Sequence, residues 1–172
     1  MMFIKQTLVS AFCLATLAAA LPAPDVPDGL VILQQSEMDN GVLTVYGDAT
    51  PEKREAVEHL DRRQCGSNSI QCFSSNTANP GTCQQLINNV RNNGSGLPSS
   101  PRSICFSNSG GQCCISWANP VSGAIQAHLA DAAQSTLNTC STGSAVSGVS
   151  RNTIIGTTCT TQCLSNRASG CS

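Results

Sequence analysis

Aromatic and charged residues are scarce in this chain, at 3% and 11% of its 172 positions. From Gln64 onward the shortage becomes selective. That stretch holds no lysine, no glutamate and one aspartate, Asp131, and its aromatics are Phe73, Phe106 and Trp117. Each absence excludes a chemistry. Hydrolysis by paired carboxylates needs two acids. Acid–base ribonuclease chemistry needs a second histidine or a glutamate beside His128. No G-x-S-x-G occurs to raise a serine nucleophile on a strand-to-helix turn. His128 and Asp131, three residues apart, read as a surface pair on one helix face and not as a catalytic dyad. The Cys/His spacing fits no zinc pattern. No segment reaches the ~18 apolar residues of a membrane span. The expectation is a protein that is not an enzyme, with no catalytic residue, cofactor or metal.

The first residues do carry a short apolar run, Leu8 to Leu17, after the positive Lys5, and it closes on the small residues Ala18 and Ala20. This is the pattern of a secretory signal peptide, residues 1–20. Residues 21–63 follow with no cysteine and with nine acidic against four basic side chains. At Gln64 the composition inverts to four arginines, one acid and ten of the eleven cysteines. The break falls at Arg62-Arg63, a dibasic pair of the kind that kexin-type secretory proteases cut, and Lys53-Arg54 is a second such pair. The pattern predicts an acidic propeptide, 21–63, and a mature cysteine-rich domain, 64–172. An acidic extension docked on the basic domain is the alternative. Within it, "GLVIL" and "GVLTVYG" read as strands and "PEKREAVEHL" as a helix starting at Pro51. The opposite net charges of the two parts attract, which suits a folding aid or an inhibitor; a plain spacer remains open.

Cys65, Cys72, Cys83, Cys105, Cys113, Cys114, Cys140, Cys159, Cys163 and Cys171 make an even set, so five disulfides are expected in an oxidising compartment. Their connectivity is open. Cys113 and Cys114 point to opposite faces of an extended chain and should bond to different partners. A chain so poor in large apolar side chains buries little area against its ordering entropy. Bridges of about 2–4 kcal/mol each offset the deficit.

In "NPGTCQQLINNVRNNG", Cys83, Leu86, Ile87 and Val90 follow helical spacing, with Thr82 as the cap and Gly94 at the end. "SPRSICFSNSGGQCCISWANP" reads as a hairpin turning at "SNSGG". "VSGAIQAHLADAAQSTLNTC" reads as a second helix, "AVSGVSRNTIIG" as one or two strands, and "TTCTTQCLSN" as a short helix or turn. The predicted class is α+β: a disulfide-stapled antiparallel sheet with two main helices packed on it.

Candidate binding residues are Arg102, beside Pro101, and Arg151, before "NTII". Each can present a guanidinium from a stiff segment, although a solvated arginine is the plain reading of both. A surplus of three positive charges is too small to argue for nucleic acid. Trp117 continues the apolar face of its strand and reads as core, not as a sugar platform. Asn93-Gly94-Ser95 is a glycosylation sequon in a loop, and the one such site after Gln64.

"SPRSICF…GGQCCISWANP", a following long helix and "CTTQCLSNRASGC" together resemble the secreted fungal cysteine-rich proteins with a WD-like domain, which are unrelated to WD-repeat propellers. The resemblance covers about Cys65–Cys171. It implies secretion and transfers no catalytic residue. "CGSNSIQC" and the order of elements also resemble, more weakly, the smut-fungus killer toxins of the killer-toxin-four type, α/β sandwiches that block cation channels. The chain differs from those in cysteine spacing and in lacking lysine after Gln64. The expected function is binding outside the producing cell, effector-like or killer-toxin-like. The target would be a host or competitor protein, a wall polymer or a membrane surface. The alternatives are a wall-associated structural or carbohydrate-binding protein and a small secreted hydrolase.

Overall fold

The computed structural model describes residues 26–49, 65–97 and 101–171. The signal stretch, the helix expected from Pro51 and both dibasic pairs lie outside the described residues. Strands β1 (Leu30–Met38), β2 (Gly41–Asp48) and β3 (Ser69–Cys72) precede helix α1 (Pro80–Arg91). Strands β4 (Pro101–Asn108) and β5 (Gly111–Trp117) follow, then a 3-10 turn (Gln126–Leu129) running into helix α2 (Ala130–Cys140). Strands β6 (Gly148–Ile155) and β7 (Thr158–Ser165) complete the fold. All seven strands form one sheet in the order β1-β2-β4-β5-β7-β6-β3, antiparallel at every pairing. The α+β class and the antiparallel sheet are as expected, but the sheet dominates and the helices are short.

The helices pack on one face of it. Leu86, Ile87 and Val90 of α1 and Ala133 and Leu137 of α2 share a core with Leu43, Val45, Ile104, Phe106, Ile115, Trp117 and Leu164 of the sheet. Trp117 is fully buried there. Helix α1 starts three residues earlier than a Thr82 cap would place it, at Pro80 with Asn79 as the cap. The Asn79 side chain accepts from the Gly81 and Thr82 N–H groups, leaving Thr82 inside the helix, where its hydroxyl donates to Asn108 Oδ1. Asparagine is the stronger cap because its carbonyl reaches two orphan donors at once. The helix also closes earlier than Gly94, at Arg91 with Asn92 as C-cap.

The segment "TTCTTQCLSN" is neither helix nor turn but strand β7. Its threonines are β-branched and stiff at χ1, which suits a pleated ladder. Thr160, Gln162 and Leu164 are buried on alternate positions. Gln162 is half satisfied there, its Nε2 donating to the Leu129 carbonyl at 2.9 Å while its Oε1 has no partner among the described residues. Gly156, at φ +63°, turns β6 into β7, and a side chain there would strike the Ser122 carbonyl.

Residues 30–48, which the sequence assigns to the acidic propeptide, supply the first two strands. β2 is an interior strand, paired with β1 on one side and β4 on the other.

All ten cysteines from Cys65 onward are paired. Cys65–Cys159 ties the start of the cysteine-rich part to β7, Cys72–Cys140 joins β3 to α2, and Cys83–Cys113 pins α1 on β5. Cys105–Cys114 crosses between directly opposed residues of β4 and β5, and Cys163–Cys171 holds the C-terminal segment. Adjacent Cys113 and Cys114 therefore serve opposite sheet faces, as period-2 alternation requires.

Candidate binding surface

The sheet face away from the helices is only partly covered. Beside β4 and β5, Tyr46, Cys105, Cys114 and Ala168 form a small second cluster. Farther along, a groove of about 240 Å³ crosses β5, β7 and β6 over Ser116, Cys163, Gly148 and Val149. Phe73 and Arg167 line it. Phe73 follows Gln71 at the interval that keeps it on the open face, while Cys72 turns to the helices and its bridge with Cys140. Phe73 is 45% exposed, the one exposed aromatic side chain among the described residues.

Arg167 stands on a stiffened segment. Its N–H donates to the Ser165 hydroxyl, and Asn166 on one side is bound to the Asn76 carbonyl. The Cys163–Cys171 bridge then returns the chain to β7. Nothing in the local sequence pattern distinguishes Arg167, and Phe73 belongs to no apolar alternation. Their approach depends on sheet order, which brings the end of β3 and the end of β7 to one groove.

Arg151 is exposed on β6, two residues beyond Val149 and so on the same open face. It sits at an irregularity where Ser150 pairs with Gln162 and Thr153 with Thr160, leaving an extra residue on β6. Asn152 adopts φ +56° there, a conformation that asparagine tolerates. The Thr153 hydroxyl, bonded to Ser150 at 2.9 Å, closes the bulge. Bulges re-aim the side chains beside them, here a guanidinium. Neither Arg151 nor Arg167 has a carboxylate within ion-pair distance among the described residues.

Arg102, the other predicted binding residue, is placed differently. Its Nη1 lies 3.2 Å from Asp48 Oδ2, and its Nε donates to the Trp117 carbonyl at 3.3 Å. The side chain is 13% exposed and forms one wall of a cleft of about 340 Å³ with Asp48, Leu30 and Ala168. Its charge is matched from within the chain.

The predicted surface pair is divided. Asp131 bonds to Arg91 across the two helices at 2.9 Å, and His128 Nδ1 accepts from the Ile125 N–H. The two residues border one shallow cleft with Asn68 and Thr153, without a hydrogen bond between them. Asn93, the sequon residue, uses its Oδ1 to accept from the Ser95 N–H, in the loop after α1. Among the described residues no three His, Cys, Asp or Glu side chains converge as metal ligands, and no helix is long and apolar enough to cross a membrane.

No curated protein and no solved structure matches this chain. Residues 30–171 match the fungal WD-like family, a span that begins with the first residue of β1 and takes in every strand and helix described above. The chain belongs to the fungal WD-like family.

Proposed function

We propose that the protein is secreted through its signal peptide, is cut after Arg63, and acts outside the cell by binding, as an effector or killer-like toxin, without catalysis. The observation that carries this reading is the open sheet face, where Arg167 lines one groove with the exposed Phe73 and Arg151 stands farther along β6, both without carboxylate partners among the described residues. Guanidinium groups beside an apolar ring suit a partner that combines anionic and apolar groups, such as an acidic protein surface, a charged wall polymer or a lipid head group. Five disulfides fit an oxidising compartment and stiffen this face, so little ordering entropy opposes binding. A carbohydrate-binding role has less support, because Trp117 is buried and, among the described residues, Phe73 alone remains as a ring for stacking.

The test exposes fungal, plant and bacterial cells to labelled, disulfide-intact protein. Saturable binding that weakens with salt is expected. Arg151→Gln and Arg167→Gln should each weaken it about tenfold, the cost of losing a charged hydrogen bond. Retention on chitin or glucan that ignores salt and both substitutions would instead support the wall-associated role. Loss of activity in His128→Ala with the fold intact would make the protein an enzyme.

A further inference from the structure

We infer that the β1–β2 hairpin stays docked on β4 after cleavage at the dibasic site, so that the working protein is two chains held together without a covalent bond. The inference rests on the cleavage proposed above and is carried by the packing of the hairpin. β2 is buried on both of its faces. Leu43 and Val45 enter the helix-side core against Ile104 and Phe106, while Tyr46, 1% exposed, lies over Cys105 and Cys114 on the other face. A surface appendage would bury one face only.

The backbone is engaged as fully. β2 pairs with β4 from Val42↔Ser107 to Gly47↔Pro101, and without it Arg102–Asn108 would be an open sheet edge over a dense core. Gly41 enters so close to β4 that a side chain there would strike the Ser107 carbonyl and the Phe106 ring. Asp48 completes the seam by pairing with Arg102. No bridge supports this seam, since residues 14–64 contain no cysteine, whereas β3, β4, β5 and β7 each carry a disulfide. Release of the hairpin would therefore be unhindered if its packing did not hold it. The family match, which starts at residue 30, treats the hairpin as part of the domain.

The experiment uses residues 21–172 with disulfides formed and a recognition sequence for an unrelated site-specific protease placed at positions 58–63. Cutting there does not depend on whether a kexin-type enzyme uses Arg62-Arg63, which intact mass of the secreted wild-type protein decides separately. After cutting, native mass spectrometry and size exclusion should show one particle containing both pieces, which non-reducing SDS separates. Gly41→Val should weaken retention about tenfold or more, through overpacking against Phe106. A cut wild-type protein that loses the hairpin while the cysteine-rich chain stays folded and monomeric would overturn the inference. So would a cysteine-rich chain, expressed alone, that unfolds at the same denaturant concentration as the cut complex.

Discussion

Arg102 and Asp48 join the acidic N-terminal hairpin to the cysteine-rich sheet through one guanidinium, which also caps the Trp117 carbonyl. Both side chains are largely out of water, at 13% and 25% exposure, so the pair is screened less than a surface ion pair. Asp48→Asn should lower stability by about 1–2 kcal/mol, because it leaves a largely buried guanidinium with neutral acceptors only. Urea unfolding of the uncut protein measures this. A double-mutant cycle with Arg102→Met should show that the two effects are coupled. A loss below about 0.3 kcal/mol would mean that the pair adds nothing.

Tyr46 is the single tyrosine of the chain, which makes its titration readable by ultraviolet absorbance. Burial raises its pKa above the ordinary value of about 10, with a Thr44 hydrogen bond working the other way. The folded state therefore holds this proton more tightly than the unfolded state. The associated stability is fully present below pH ~10 and is lost as pH rises through the folded value. Unfolding curves should steepen in their pH dependence above pH ~10 in the wild type and less so in Tyr46→Phe. Equal alkaline slopes for the two proteins would show that Tyr46 is not the group responsible.

Reduction should be ordered by access. Cys72 is exposed, whereas Cys83, Cys105, Cys113 and Cys114 are fully buried. Alkylation without reductant should label none of the ten cysteines from Cys65 onward. Limited reduction should open Cys72–Cys140 first, and Cys83–Cys113 and Cys105–Cys114 last. Peptide mapping of the partially alkylated protein checks the order. Early labelling of Cys113 or Cys114 would contradict it.

The helix-face charges should matter little. Arg91–Asp131 is an exposed pair, with Asp131 87% accessible, and His128 contacts backbone. Arg91→Ala, Asp131→Asn and His128→Ala should each change stability by less than about 0.5 kcal/mol. None should alter cell binding. A larger stability loss in Asp131→Asn alone would reveal a role for that carboxylate beyond the pair.

Local signals marked several elements correctly. The i, i+3, i+4, i+7 spacing from Cys83 to Val90 marks α1, and alternation around "SNSGG" marks the β4–β5 hairpin. "GLVIL" and "GVLTVYG" carry the strand signature that β1 and β2 realise. Strand β7 was hidden because its core-facing positions are Thr160, Gln162 and Leu164, two of them polar. The Gln162 amide donates to a carbonyl 33 residues away, and no window of sequence contains that partner.

The sequence alone determined an even set of cysteines that demands oxidation, opposite faces for Cys113 and Cys114, and a core too small to do without bridges. These follow from backbone alternation, thiol chemistry and composition, which are properties of the chain before it folds. Tertiary structure decided which cysteines pair and that an acidic hairpin extends one end of the sheet, with β2 as an interior strand. It also separated the arginines, matching Arg102 with Asp48 and leaving Arg151 and Arg167 without such a partner among the described residues. Strand order sets all three, and it arises from pairings between segments far apart in the chain, whose closure entropy and packing no local pattern encodes.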